Sequence, residues 1–327
     1  MTQNSNDAAA PTLLKRIGMT ALGVGAAGAG LAAISALLGR DAERKVPADG
    51  GFVEIDGARL HYIDRGTGPA IVMVHGLGGQ LRNFTYALSE LIEGEHRLIV
   101  VDRPGSGYSK PKPGTNPDIR AQGRLVARLV DKLGLERPLI VGHSLGGAVA
   151  LAAALAAPGK IGGLLLLAPL TQPMDQVPEV FRRLQRDSAL SRKLIARTVG
   201  VPMGMLTSKP NLTIIFAPDP VPSDFGTRGG GLLALRPGNI EAAMHDIFAA
   251  RDDMDAITRR YGELALPVSI LFGRGDRLLD PELHGRTTAA AIAGAVFEVI
   301  EGGHMLPITH PDECARVLRA VLARIDR

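Results

Sequence analysis

The sequence contains no tryptophan and only one cysteine, Cys314, in 327 residues. A lone thiol can form no intrachain disulfide and no thiolate metal site. In a late helical pattern it reads as a small core residue. Without tryptophan, any site that needs an indole is excluded. A large excess of one charge sign is also lacking: the net charge is +4 and the positive residues are scattered. That balance describes a solvated surface and implies no nucleic-acid partner. What the chain does have is 46% hydrophobic residues, 40 Gly and 22 Pro. This is ample for a sizeable core and suits one large domain with an insertion, or two small ones.

Residues 1–16 are polar and Ala-rich and read as a disordered N-terminus. Ile17–Gly39 then carries no charge. At about 1.5 Å per residue it reaches across a bilayer core of about 30 Å. The expectation is a single-pass membrane anchor over 17–39, with a signal segment for export or a helix of the globular domain as alternatives. Basic residues flank the run on both sides, so its orientation is not fixed. Residues 40–51 read as a linker.

From Phe52 the pattern becomes regular. Two short strands flank Asp56-Gly57, a strong hairpin signal. Apolar strands follow at 70–74, 97–101, 139–141 and 163–167, with helical spacing between them. Strands that are apolar throughout and alternate with helices predict a mostly parallel sheet covered on both faces. The pattern breaks over 171–264, which reads as a mainly helical insertion with a Pro- and Gly-rich irregular stretch. It resumes at Val268–Phe272, with a further strand at 296–300 and a last helix at 311–325. The core is therefore expected at 52–170 and 265–327.

The stretch Gly142-His143-Ser144-Leu145-Gly146-Gly147 follows an apolar strand and opens an Ala-rich helix. Strand, sharp turn, helix is the context in which Gly-x-Ser-x-Gly exposes its serine as a nucleophile. A serine hydroxyl needs a base, and the base needs an acid to hold its tautomer. Asp276 and His304 each lie just past the end of a predicted strand, and the chain order Ser144, Asp276, His304 is that of this motif's triad. Asp280 and His310 each precede a proline and fit helix entries instead. His284 has no motif around it. The oxyanion of a tetrahedral intermediate needs two backbone donors. The Leu145 N–H at the helix start supplies one. The Gly-rich loop His75-Gly76-Leu77-Gly78-Gly79 supplies the other, from Leu77. In the insertion, Met203, Met205 and Phe216 belong to an apolar group that reads as an acyl pocket or as packing onto the sheet. No cofactor and no metal are called for.

These motifs, with Asp102-x-x-Gly105-x-Gly107-x-Ser109, make the chain resemble the α/β-hydrolase fold superfamily, in its serine-nucleophile branch with a cap domain, over about 52–325. Members that open epoxides or cleave carbon–halogen bonds carry Asp where this chain has Ser144, so the resemblance disfavours those activities. It implies a hydrolase of carboxylic esters with an apolar acyl group, taking a small ester or lipid-like substrate. Hydrolysis of a carbon–carbon bond on the same fold, or a non-catalytic binding role, are the alternatives.

Overall fold

The computed structural model describes residues 10–325, with side chains from residue 25. Its sheet has eight strands: β1 (Gly51–Ile55), β2 (Ala58–Arg65), β3 (Ala70–Val74), β4 (Arg97–Val101), β5 (Leu139–His143), β6 (Gly163–Leu167), β7 (Val268–Gly273) and β8 (Val296–Ile300). They lie in the order β1-β2-β4-β3-β5-β6-β7-β8. β1 and β2 pair antiparallel, as do β2 and β4; every other pair is parallel. The β1–β2 turn places both Asp56 and Gly57 at positive φ, 50° and 85°. That is the twist a two-residue hairpin needs.

The central strands are apolar at every position because both faces are covered. Their residues divide with period two. Val72, Val74, Ile140, Leu164, Leu166 and Ile270 face one cluster, and Ile71, Met73, Val141, Leu165, Leu167 and Leu271 the other. Helix α2 (Ile119–Lys132) and helix α3 (Leu145–Ala156) cover the first face. The C-terminal helix, 311–325, covers the second, with Cys314 fully buried on its inward face. Burial pushes that thiol's pKa up, which keeps it protonated and inert.

Three α-helices stand in the insertion: α4 (Ala189–Arg197), α5 (Gly200–Phe216) and α6 (Pro237–Thr258). The expected irregular stretch thus includes a helix, α5, despite two prolines. Pro202 sits in its first turn, where the missing N–H costs nothing. Pro210 lies inside and forfeits one backbone bond; buried Val201 and Phe216 hold the two ends.

The apolar N-terminal run belongs to helix α1 (Ala10–Lys45). Among the described residues no helix is long and apolar enough to cross a membrane. The expectation of a membrane anchor and a membrane location is corrected accordingly. The side chains of 17–24, and residues 1–9 of the expected disordered N-terminus, lie outside the described residues. Where it is described, α1 docks on the insertion. The hydroxyl of fully buried Ser35 donates to Thr198 O at 2.8 Å, and Leu38 packs against Ala196, Val201, Ile240 and Met244. Glu43 pairs with Arg236 at 2.8 Å. The helix runs on through much of the expected linker and leaves only 46–50 before β1.

α2 and α3 cross at Gly123. A Cβ there would stand 2.6 Å from Ala152 Cβ and 2.7 Å from Ala152 C. Alanine in place of a helical glycine gains about 1 kcal/mol on propensity, but overpacking costs about 1–3 kcal/mol. Gly123→Ala is therefore expected to lower stability, measured as the urea midpoint. An unchanged or higher midpoint would show that the crossing can open without loss.

Candidate active site

Ser144 is held at φ 53°, ψ −123°, a conformation costly for any residue with a Cβ. Packing around it compensates. A Cβ on Gly142 would collide with the Gly146 carbonyl, and one on Gly146 with the carbonyl of Val74. The turn therefore closes only with glycine at both positions. Its backbone is pinned on two sides: Ser144 N donates to Leu167 O at 3.0 Å, and Leu170 N donates to Ser144 O at 2.9 Å. The residues around Ser144 are buried while Ser144 itself is partly exposed, and it lines a cavity.

Asp276 follows β7. Its Oδ1 accepts the N–H groups of Leu278 (2.8 Å) and Leu279 (3.1 Å), and its Oδ2 accepts Nδ1–H of His304 at 2.7 Å. Burial works against the charge on Asp276, but the His304 imidazole and the two amides outweigh it and hold the carboxyl below its usual range. With Nδ1–H committed to Asp276, the free nitrogen of His304 is Nε2, the tautomer a general base requires. His143, next to Ser144, donates Nε2–H to the His304 carbonyl at 2.9 Å, and the two rings lie 5.0 Å apart. The elbow and the imidazole loop are thereby tied together.

The strand-end loop of β3 meets the elbow from the other side. A Cβ on Gly76 would stand 2.8 Å from Ser144 Cβ. Leu77 and Leu145 both line the cavity beside Ser144. The Leu145 N–H is in the first turn of α3, where amides have no intrahelical partner. Among the described residues, the Leu77 N–H has no protein acceptor either.

The cavity lies between sheet and insertion, with walls that include Leu170, Met174, Phe181, Ile247 and Met254 and polar contributions from Gln172, Asp246 and Arg251. Its volume is about 60 Å³. That is far below the several hundred Å³ of a typical ligand site. Met203, Met205 and Phe216, expected as an acyl pocket, do not line it. The two methionines are nearly half exposed on α5, and Phe216 is buried against Phe225, Met305 and Ile308. A larger groove of about 430 Å³, lined by Lys112, Arg124 and Arg128, holds none of the expected site residues.

Three features escape sequence reasoning. Arg103, inside the Asp102-x-x-Gly105 motif, is fully buried and paired with Asp246 of α6 at 2.8 Å. His284 is buried at the root of the insertion, where its Nδ1 accepts the N–H groups of Thr171 and Gln172, both at 3.2 Å. His310 stands 3.7 Å from Asp219, whose Oδ2 accepts the Gly303 N–H at 3.0 Å, one residue before His304. The only sequence signal for any of these is the position of Arg103 in its motif. Asp280 caps the segment it opens, accepting from Glu282 N at 2.9 Å, as expected.

Comparison with known proteins agrees with this architecture. The model of the alpha/beta hydrolase fold family matches residues 69–311. The chain belongs to that family, and it is a hydrolase of that fold. One relative is the 2-hydroxy-6-oxononadienedioate/2-hydroxy-6-oxononatrienedioate hydrolase of Klebsiella pneumoniae, 26% identical over 81% of this chain and 91% of its own. Among solved structures, a thermophilic esterase from Thermogutta terrifontis is 24% identical, with TM-score 0.68 over 85% of this chain and 100% of that one. A bacterial membrane phospholipase A is 20% identical, with TM-score 0.68 over 97% of this chain and 99% of that one. At these identities the two structures show the shared fold alone.

The buried imidazoles set an acid limit. Burial, then the neighbouring His304, pulls the His143 pKa down from 6.5 to about 3; burial pulls His284 down to about 4. The unfolded chain takes up protons near pH 6.5 that the folded chain refuses, so stability is full above that pH and falls as pH drops toward 3. A loss of several kcal/mol is expected between about pH 6.5 and pH 4. Urea midpoints measured across that window check this; a flat profile would show that these histidines are not buried neutral.

Proposed function

We propose that this chain is a serine hydrolase that cleaves the carbon–carbon bond beside the 6-oxo carbon of a 2-hydroxy-6-oxo-dienoic acid. The observation that carries the reading is the relative of that named activity, matched over nearly its whole length, together with the Asp276–His304 pair, tied through the His304 carbonyl to His143, the neighbour of the strained Ser144. Ester hydrolysis, the first expectation from sequence, becomes the second reading. It is favoured by the aliphatic cavity walls.

In the proposed mechanism His304 Nε2 takes the Ser144 hydroxyl proton as Oγ attacks the 6-oxo carbon. The oxyanion is received by the N–H groups of Leu77 and Leu145. Collapse of the intermediate breaks the bond to C5. In the ketonised substrate the 2-hydroxyl proton has moved to C5; the electron pair of the broken bond passes through the C3–C4 double bond to the C2 carbonyl oxygen, which takes the proton from His304 to leave as the 2-hydroxydiene fragment. Water, activated by the same imidazole, then hydrolyses the acyl-enzyme. Asp276 orients His304 throughout. The charges of the cavity narrow the substrate further. Arg103 neutralises Asp246, and the cation among the lining residues is Arg251, whose exposed partner Asp187 stands 3.4 Å away. One cation and an aliphatic wall suit a monoacid with an apolar group at the 6-oxo carbon better than a diacid.

The test is a paired assay on the full chain: disappearance of the coloured dienolate of a 2-hydroxy-6-oxo-dienoic acid bearing a 6-phenyl group, beside p-nitrophenyl esters from acetate to palmitate. The expected kcat/KM for the dienoic acid exceeds that of every ester by about 100-fold or more, an advantage of about 3 kcal/mol in transition-state binding. Ser144→Ala is expected to lose about 1,000-fold or more on either substrate. Esters turned over faster would put the second reading first. Full activity in Ser144→Ala would overturn both.

A further inference from the structure

Arg103 is the largest fully buried side chain described. Its guanidinium is shared between two places. Nε donates to His75 O and Nη2 to Gly76 O, both at 2.9 Å. Nη1 donates to Asp246 Oδ2 on α6 and to Gln122 Oε1 on α2, both at 2.8 Å. The second Asp246 oxygen accepts from Gln122 Nε2 at 2.8 Å. One residue therefore grips the loop after β3 with one edge and a helix of the insertion with the other.

The grip falls on a particular peptide group. Gly76 O receives Arg103 Nη2–H, His75 Nδ1–H at 2.8 Å and Gly79 N–H at 3.2 Å. His75 is held in the donating tautomer because its Nε2 accepts Arg103 N–H at 3.0 Å, and burial with the Arg103 charge keeps the ring neutral. The carbonyl of Gly76 and the N–H of Leu77 belong to the same planar, trans peptide unit. Fixing the oxygen fixes the direction of that N–H, which points the opposite way. Donors on the carbonyl also polarise the unit and strengthen the N–H as a donor.

We infer that Arg103 is a positioning residue that makes the aim of the Leu77 N–H depend on α6 being docked through Asp246. The inference rests on the proposed role of Leu77 as an oxyanion donor to the Ser144 intermediate. Full transition-state stabilisation is available only with the insertion seated. When α6 lifts, Arg103 loses its counter-ion and the loop loses its fixed orientation.

The structure supplies its own control. Asp253 lies seven residues along α6 from Asp246, on the same face. It also holds the insertion to the core, through Arg120 Nε at 2.7 Å and Arg120 N at 3.2 Å. That bridge reaches the first turn of α2 and touches no loop of the site. Asp246→Asn and Asp253→Asn both weaken docking, but only the first disturbs the clamp.

The experiment measures labelling of the full chain by a fluorophore-tagged fluorophosphonate activity probe. Final stoichiometry counts intact sites, and the second-order rate reports stabilisation of the attack by Ser144. Asp246→Asn, and Arg103→Lys as a second variant, are expected to label to full stoichiometry at a rate about 10–100-fold below wild type, a part of what losing one oxyanion donor costs. The pH midpoint of the rate is expected to stay put, because His304 and Asp276 are untouched. Asp253→Asn is expected within about twofold of wild type. Wild-type rates in both Asp246→Asn and Arg103→Lys, or an equal slowing in Asp253→Asn, would overturn the coupling. A wild type that is not labelled at all would instead overturn the Ser144 reading beneath it.

Discussion

The structure depends on one constrained turn. A residue with a side chain is held in left-handed backbone space between β5 and α3, and only close packing against the end of β3 and the start of the chain after β6 keeps it there. That packing has two products. It presents the serine at the carboxyl end of β5, and it brings the loop after β3 so near that a Cβ on Gly76 would stand 2.8 Å from Ser144 Cβ. The sheet, with buried strands on either side of β5, is the frame rigid enough to hold such a turn.

Much of this was legible in the sequence, for physical reasons. Strands buried on both faces are apolar at every position, so β3 to β7 announce themselves as short uninterrupted runs. The hairpin was legible in Asp56-Gly57, because few pairs tolerate two positive φ values. Asp276 and His304 were legible because each lies just beyond a strand that the pattern identifies; the structure joins them by a 2.7 Å hydrogen bond. The Arg103–Asp246 pair was not legible. Its partners lie 143 residues apart, and each alone is an ordinary charge in a loop or on a helix. Nor does α5 show in a reading that treats proline as an end: its buried termini override the local penalty.

The N-terminal run shows the limit of composition most clearly. A stretch of Gly and Ala without charge has the length of a span, but small residues also let a helix approach another surface closely. The described part of α1 takes that second course, burying Ser35 against the last turn of α4. The cap methionines mislead in the same way. An apolar cluster reads as a pocket, yet Met203 and Met205 do not line the cavity, whose walls come largely from α6 and from the segment 170–181.

The single thiol, sealed on the inner face of the C-terminal helix, has a practical consequence when set beside the absence of tryptophan. The protein is close to a blank background for site-specific spectroscopy. A cysteine placed on an exposed position of the insertion would be its sole accessible thiol, and a tryptophan at the cavity wall its sole indole emitter. Distance changes between the insertion and the sheet could then be followed with one label and one intrinsic fluorophore, with no competing native cysteine or tryptophan to remove first.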